Sequence, residues 1–475
     1  MKKYGVFFMP HPPILIHAIG NGKEQESRST LEGMSNLAKA IQLEKPDTII
    51  FISPHGNSFS NGTCILYSDE LYGDFSDFGN RETMFHKSVN KDLAMNIFNR
   101  LEDAFITVVL MDQKTAKQYG VKVQLDHGVM VPMHFIDEHY SQYKVVHITP
   151  GFTDLEENYR IGKLIDEAIS NSEEKILIVC SGDLSHALSD EGPYQYHPEG
   201  KTFDEVVRHS IENGDPLSLL SLSNHIIEEA AQCGLRSFLM GFGAMDGVHF
   251  ESKVLSYEGP FGVGYLTGML MKSEQTKESF IQVMKEQKQS QYTERTNNED
   301  QYITLARKTI EEYVRTGKRL NLEYVKEHFT EEFFNNGISK RSGVFVSIHK
   351  GGKLRGCIGT ISAVADHLID EIIYNSISAS SNDTRFDAIS KEELMDLEIK
   401  VDILFEQEAI HSKKELDVKK YGVIVEKGAK RGLLLPNLEG IDDVEQQVSI
   451  AMQKAGIDHE EGMKLYRFEV ERHEI

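Results

Sequence analysis

The chain has 475 residues, and 74 aspartates and glutamates against 51 lysines and arginines give a formal net charge of −23 at pH 7. This length exceeds one typical hydrophobic core and predicts two or three domains, with two as the starting expectation, although large α/β domains can exceed about 200 residues. The acidic balance disfavours general binding to nucleic acid or to anionic membranes.

Cysteine usage and the opening residues bear on the compartment. The chain has four cysteines, Cys64, Cys180, Cys233 and Cys357, and they form no CxxC pair. We therefore expect neither a disulfide framework nor a zinc ribbon, and a reducing environment fits best. The apolar patch in MKKYGVFFMPHPP is too short for a signal-peptide core, and no uncharged apolar run approaches the length of a membrane helix. These features predict a cytoplasmic protein.

Short apolar runs alternate with longer amphipathic segments from Lys3 to about Met271. Predicted strands include 4–9, 47–52, 175–180 and 253–257, and predicted helices include 30–42, 90–101 and 159–170. This alternation indicates an α/β domain with a mainly parallel sheet over residues 1–271. Residues 272–300 are rich in Lys, Glu, Gln, Ser and Asn, which predicts a polar linker or a solvated helix.

Each of those four strands ends close to side chains that bind metals or move protons. The residues, in chain order, are His11, His55, Asp183 with His186, and Glu258. Taken alone, His55 between Pro54 and Gly56 is an ordinary turn residue. In an open α/β sheet, however, the carboxyl ends of strands converge on one crevice. We therefore expect these side chains to meet.

Two histidines and one carboxylate on one face of a metal form the facial triad of non-haem Fe(II) oxygenases. His11, His55 and Glu258 supply such a set, whereas a structural zinc site is normally closed by four protein ligands. His127 and His186 stand in polar turns of their own, and an imidazole near a metal-bound phenol can take its proton.

An ordered set of motifs carries a family resemblance. The set is MPHPPIL, SPHG, LDHG with a following proline, SGDLSH, YHPEGKTFD and YEGPFGVGY. Over about residues 3–270 it resembles the class III extradiol ring-cleavage dioxygenases, the LigB-like superfamily, which includes the MEMO proteins. The resemblance implies that His11, His55 and Glu258 bind Fe(II), that His186 deprotonates the bound diol, and that His127 adjoins the open coordination positions. MEMO-like relatives tend to have cysteine as the third ligand, whereas Glu258 fits the dioxygenase pattern.

The resemblance implies a dioxygenase that uses O2 to open a small catechol-like aromatic ring. Two alternatives stay open: a metal-binding or substrate-binding scaffold without turnover, and a hydrolytic or other metal-assisted reaction with Zn(II) in place of iron. Asp183 is expected to brace the turn that carries His186. His197 would either line the substrate mouth or fix its own loop.

The second half lacks strict strand–helix alternation. Predicted helices at 302–316 and 445–455 flank predicted strands at 343–348, 398–404 and 422–426. This pattern favours an α+β domain over residues 301–475.

The most distinctive motif of the second half is LRGCIGT, which contains Arg355 and Cys357. With NDTRF, GLLLP and KAG in the same order, it resembles the AMMECR domain family over about residues 302–472. The family more often has DPRFP where this chain has DTRFD. Cys357 is either an accessible thiol acting as nucleophile or ligand, or a small residue in a tight strand between glycines. Arg355, Cys357 and Arg385 are candidates for one pocket.

The order of the two domains resembles AmmeMemoRadiSam system protein A, a family in which an AMMECR domain, a MEMO/LigB-like domain and a separate radical SAM protein occur together. The resemblance implies a radical SAM partner and a role in a modification pathway. We also consider self-association into a homo-oligomer.

Overall fold

The described part of the chain divides into two units. The computed structural model describes residues 5–170, 172–391, 393–438 and 440–475, so Tyr4, at the start of the first predicted strand, lies outside the described residues. The first unit extends to Met284 and the second comprises Lys285–Ile475.

The first unit is built on a twisted sheet. The strands of this unit are β1 (Gly5–Met9), β2 (Thr48–Ile52), β3 (Thr63–Leu66), β4 (Glu70–Phe75), β5 (Asn80–Ser88), β6 (Val108–Met111), β7 (Lys144–Thr149), β8 (Ile176–Ser181), β9 (Val248–Glu258) and β10 (Tyr265–Thr276). Strands β4 and β5 form a separate two-stranded ribbon. The order in the sheet is β6-β3-β7-β2-β8-β1-β10-β9. The pairs β6–β3, β7–β2, β2–β8 and β8–β1 are parallel, and the other three are antiparallel.

Helices cover both faces of this sheet, which is why β1, β2 and β8 are continuous buried apolar runs. The helices are α1 (His17–Gly20), α2 (Arg28–Glu44), α3 (Lys91–Asp103), α4 (Gln113–Tyr119), α5 (His127–Asp137), α6 (Leu155–Ser170), α7 (Pro198–Asn213), α8 (Leu217–Leu220), α9 (Asn224–Glu229) and α10 (Leu235–Gly243). The α/β class is confirmed. Because β1, β8, β2 and β7 are parallel neighbours, their carboxyl ends lie along one edge.

The interval 272–300 contains the end of β10 and the helix α11 (Phe280–Asn297), in which no described residue is buried. Among the described residues, no helix combines the length and apolarity needed to cross a bilayer.

The second unit combines two small antiparallel sheets with helices, as the α+β prediction requires. Its strands are β11 (Val344–Lys350), β12 (Lys353–Gly359), β13 (Leu397–Leu404), β14 (Glu408–Ile410), β15 (Gly422–Lys427), β16 (Lys430–Leu434), β17 (Lys464–Phe468) and β18 (Val470–His473). The sheet orders are β12-β11-β13-β18 and β14-β17-β15-β16. The helices are α12 (Gln301–Thr316), α13 (Leu322–His328), α14 (Glu331–Ser339), α15 (Leu368–Ser381) and α16 (Val444–Ala455).

Candidate metal site

Two imidazoles and a thiol converge at the carboxyl edge of the large sheet. His11 follows β1, His55 follows β2, and Cys233 lies between α9 and α10. The Nε2 atoms of His11 and His55 are 2.9 Å apart, and Cys233 Sγ is 3.5 Å from His11 Nε2. The three potential ligand atoms all lie within 4.8 Å of one another. Imidazole and thiolate are donors for borderline and soft transition metals, so the donor set fits a metal ion.

The tautomer of His11 follows from its hydrogen bonds. Ser181 Oγ donates its hydrogen to the carbonyl oxygen of Gly128, so it must accept from His11 Nδ1, 2.7 Å away. With the proton on Nδ1, the lone pair of His11 Nε2 faces His55 and Cys233. This arrangement is typical of metal-binding histidines, whose second nitrogen donates to a fixed acceptor.

Burial keeps the donors uncharged before a metal binds. Burial first, and then the neighbouring imidazole of His55, hold the pKa of His11 well below its usual range. Burial lowers the pKa of His55 to about 4, so both rings are neutral at pH 7. Burial also raises the pKa of the Cys233 thiol well above its usual value. Metal binding would therefore release a proton from Cys233.

Asp183 fixes two of the three donors. Its Oδ1 accepts a hydrogen bond from the His11 backbone N–H at 2.9 Å, and its own N–H donates to Cys233 Sγ at 3.3 Å. The side chain is buried, and burial raises its pKa to about 7 although the His11 bond acts in the opposite direction. Asp183 therefore ties the end of β8 to the His11 and Cys233 loops.

Asp126 directly precedes His127, which is the first residue of α5. Asp126 caps that helix by accepting from the Val129 N–H, and it also accepts from Ser53 Oγ at 2.6 Å. Burial alone would raise the pKa of Asp126, but His147, 2.9 Å away, and then the Ser53 hydrogen bond hold it below its usual range. The His127 ring stacks on His55 with centroids 4.3 Å apart.

His186 presents one free nitrogen. Its Nδ1 donates to the carbonyl oxygen of Ala231, and its backbone N–H bonds the carbonyl oxygen of Ala230 at 3.0 Å. Burial lowers its pKa, so the ring is neutral at pH 7 with a lone pair on Nε2. Aromatic rings flank the two outer histidines: Tyr194 lies 5.9 Å from His186, and Phe78 lies 5.2 Å from His127, between ring centroids.

A family model matches most of the first unit. The model described as the catalytic LigB subunit of aromatic ring-opening dioxygenase matches residues 5–268, more than half of the chain. The chain belongs to the LigB family. A second model, AMMECR1, matches residues 303–473. We call these segments the LigB domain and the AMMECR1 domain.

Relatives share these domains. A Clostridium acetobutylicum protein is 38% identical over 473 residues, covering 100% of this chain and 99% of that protein. A Thermotoga maritima protein is 46% identical over 177 residues, covering 37% of this chain and 98% of its own length. A solved Pyrococcus horikoshii structure is 30% identical with a TM-score of 0.32, covering 36% of this chain and 88% of that one.

Glu258, the carboxylate ligand predicted from the sequence, has a different partner in the structure. Glu258 ends β9, and β10 lies between β9 and β1, which carries His11. At about 4.8 Å per strand, this places the Glu258 backbone roughly 10 Å from that of β1. The Glu258 carboxylate instead accepts hydrogen bonds from the N–H and hydroxyl of Thr30, both at 2.6 Å, near the start of α2. Among the described residues, the group of potential metal ligands contains Cys233 with His11 and His55, and does not contain Glu258.

Cys233 was not predicted as a metal ligand, because candidate ligands were expected at the ends of strands and Cys233 precedes a helix. The signal that could have found it is the Gln-Cys-Gly turn directly before the apolar start of α10. His197 caps α7: its Nδ1 accepts from the Glu199 N–H at 3.3 Å. It therefore fixes its own loop.

In the AMMECR1 domain the structure brings together two of the three candidates for a shared pocket. Arg385 Nη2 donates to the carbonyl oxygen of Cys357 at 3.2 Å. Arg355 instead forms a two-pronged ion pair with Glu393, with both N–O distances at 3.0 Å, and donates to the carbonyl oxygen of Asp387 at 2.7 Å. Arg355 therefore braces the loop after α15.

Proposed function

We propose that the LigB domain is a MEMO-like site that binds one transition-metal ion through Nε2 of His11, Nε2 of His55 and Sγ of Cys233, and holds a small aromatic ligand beside it. The observation that carries this proposal is the position of Cys233, since Glu258 is bonded to Thr30. In a two-histidine, one-carboxylate Fe(II) site for catechol cleavage the carboxylate would come from Glu258, which bonds Thr30, or from Asp183, whose Oδ2 lies 4.0 Å from His11 Nε2.

The donor set favours soft and borderline ions. Thiolate selects Cu(I), Zn(II) and iron over the hard ions that carboxylate and water suit, so Fe(II), Zn(II) and copper are the ions to test. When bound, such an ion supplies Lewis-acid or redox chemistry to the ligand. His186 accepts the proton of the ligand's hydroxyl at its free Nε2, and the Ala231 bond keeps the ring in that tautomer.

A ring-opening dioxygenase is the second candidate. His127 stacks on His55, His186 interacts electrostatically with His11 and His55, and the rings of Phe78 and Tyr194 flank His127 and His186, as an aromatic substrate would require. If the domain is a dioxygenase, the Cys233 thiolate would be the one anionic ligand of the metal, in the position that a carboxylate has in the facial triad. The radical SAM partner and self-association remain predictions from the sequence.

Anaerobic purification with metal analysis tests the donor set. We expect about one metal ion per wild-type chain, loss of the ion in Cys233→Ser and His55→Ala, and retention in Glu258→Gln, because a single missing ligand opens the site. If Cys233→Ser kept the metal ion and Glu258→Gln lost it, Glu258 and not Cys233 would be the third ligand.

Oxygen uptake with a panel of catechols then separates the two candidates. A bound metal ion without oxygen uptake supports the binding site, provided that a catechol changes the absorption spectrum of the metal. Uptake with a yellow ring-fission product that is lost in His186→Ala would establish the dioxygenase instead.

A further inference from the structure

A cavity of about 340 Å³ lies between the two small sheets of the AMMECR1 domain. Its floor is apolar: Leu404 ends β13 of one sheet, and Ile424 and Phe468 belong to β15 and β17 of the other. These three side chains are at most 4% exposed and belong to one hydrophobic cluster. Phe405 also lines the cavity and is 50% exposed, so the cavity is open to solvent. Ligand pockets are clefts of roughly 300–1,000 Å³ with mostly apolar walls and a few polar groups, which this cavity matches.

Hydrogen bonds and close backbone packing hold the walls of the cavity in place. The Leu404 N–H donates to the carbonyl oxygen of Gly343 at 3.0 Å, and the Ser342 hydroxyl donates to the carbonyl oxygen of Leu404. A Cβ on Gly343 would lie 2.4 Å from the carbonyl oxygen of Thr360, so the loops before β11 and after β12 are in backbone contact. A ligand therefore enters a cavity that is already formed, which lowers the entropic cost of binding.

Arg341 is the cation at the rim of this cavity. Its Nε donates to the carbonyl oxygen of Ala365 at 3.0 Å, which fixes the plane of the guanidinium. Among the residues that the structure describes, no carboxylate forms an ion pair with Arg341, whereas Arg355 is paired with Glu393. The terminal amino groups of Arg341 therefore remain for a ligand, and such a planar group matches the geometry of a carboxylate.

Glu406 is the acid at the same rim. Two neighbouring acids are already neutralised. Glu408 pairs with Arg467 at 2.9 Å, and Glu469 pairs with Lys420 at 3.3 Å. In the described ranges, no cation forms an ion pair with Glu406. The rim therefore presents one uncompensated charge of each sign.

We propose that this cavity binds a small zwitterion with an apolar body, the chemical class of the free aromatic and aliphatic amino acids. Arg341 binds the carboxylate of the ligand, and Glu406 binds its ammonium group. The apolar body packs on Phe405 and Phe468. A ligand with only one of the two charges leaves the other rim charge without a partner, so the site selects for the zwitterion. Because the cavity lies in the second unit, its ligand is distinct from the metal ion of the LigB domain.

Indole probes test the proposal, because the chain contains no tryptophan. L-tryptophan is the zwitterion, 3-indolepropionate lacks the ammonium group, and tryptamine lacks the carboxylate. The fluorescence of each probe, excited where tyrosine does not absorb, gives its dissociation constant with the full chain. We expect L-tryptophan to bind about fivefold more tightly than either analogue at low salt, since one pair of unit charges at about 4 Å in water contributes roughly this factor.

Two variants and two matched controls make the test specific. Arg341→Met should remove the preference for L-tryptophan over tryptamine, and Glu406→Gln should remove the preference for L-tryptophan over 3-indolepropionate. Lys326→Met and Glu327→Gln should keep both preferences, because these exposed α13 residues give the same changes in net charge away from the cavity. Circular dichroism checks that each variant is folded.

Four results would overturn the proposal. They are no detectable binding of L-tryptophan, equal affinities for the three probes, preferences that persist in Arg341→Met and Glu406→Gln, and binding that only Cys233→Ser abolishes. The last result would place the indole at the metal site of the LigB domain.

Discussion

At the scale of single residues, Ser181 orients the metal site without touching the ion. The Ser181 hydroxyl donates its hydrogen to the carbonyl oxygen of Gly128. Its oxygen therefore accepts from His11 Nδ1 and keeps the proton of His11 on that nitrogen. We expect Ser181→Ala to weaken metal affinity about 10- to 100-fold, the usual effect of losing the partner of a ligating histidine. Titration calorimetry with Zn(II) measures the change.

Ser237→Ala is the matched control for Ser181→Ala. Ser237 is also fully buried in the LigB domain, but its hydroxyl has no hydrogen-bond partner within the described residues. Its replacement should leave the metal affinity unchanged. Equal affinities for the two variants and the wild type would show that Ser181 does not orient His11.

Asp204 makes the stability of the LigB domain depend on pH. It accepts from the Ser185 N–H and from the Tyr257 hydroxyl, both at 2.8 Å, and so supports the loop that carries His186. Burial raises its pKa to about 7, against an unfolded value near 3.8, although both hydrogen bonds oppose this shift. Between these pH values the folded chain binds more protons than the unfolded chain, so stability falls as pH rises through about 7.

Asp204→Asn should remove this part of the pH dependence. The wild type should lose roughly 4 kcal/mol more stability than the variant between pH 4 and pH 8, since each pKa unit corresponds to about 1.4 kcal/mol. Urea unfolding of the wild type and of Asp204→Asn at pH 4 and at pH 8 measures this difference in the free energy of unfolding. Asp183 and Asp166 also have raised pKa values but are present in both proteins, so the difference isolates Asp204. Parallel pH profiles for the two proteins would contradict the assignment.

At the scale of elements, α6 and α10 pack with their backbones in contact. A Cβ on Gly162 would lie 2.0 Å from the carbonyl oxygen of Met240, and one on Gly243 would lie 1.9 Å from that of Tyr159. Backbone atoms cannot rotate away, so an added methyl group must push the helices apart. Because α10 begins two residues after Cys233, this contact also positions a metal donor.

Gly162→Ala should therefore destabilise the LigB domain by about 1–3 kcal/mol through overpacking, although alanine is the better helix former by about 1 kcal/mol. It should also lower metal affinity, because α10 moves with Cys233. Ser170→Ala, at the exposed end of α6, should be nearly neutral in both measurements. Urea unfolding and metal titration report the two effects, and an unchanged midpoint in Gly162→Ala would show that the helices can separate freely.

The elements also show what the sequence could predict. Buried apolar runs followed by turn residues located β1, β2 and β8, and so led to His11 and His55. Strand order is not encoded in such runs, because β10 inserts between β1 and β9 only through long-range pairing. The sequence therefore could not show that Glu258 bonds Thr30 and lies outside the group of His11, His55 and Cys233. Cys233 and Ser181 gain their roles from contacts with residues about 170 or more positions away, which no local pattern displays.

At the scale of the whole molecule, each unit has its own hydrophobic clusters. The large cluster around β1, β2 and β8 belongs to the first unit, and those around α15 and around α16 belong to the second. Separate cores predict separate unfolding transitions. The two cysteines of interest, Cys233 and Cys357, lie in different units.

Metal binding should therefore stabilise one transition selectively. A ligand at about 100 times its dissociation constant stabilises the native state by about 2.7 kcal/mol, which raises the melting temperature of a domain of this size by roughly 5–10 °C. In scanning calorimetry with Zn(II), we expect the LigB transition to rise while the AMMECR1 transition stays in place. Cys233→Ser should abolish the rise and Cys357→Ser should preserve it, because only Cys233 belongs to the donor set. Loss of the rise in Cys357→Ser would place the metal at the AMMECR1 thiol, and retention in Cys233→Ser would remove Cys233 from the site.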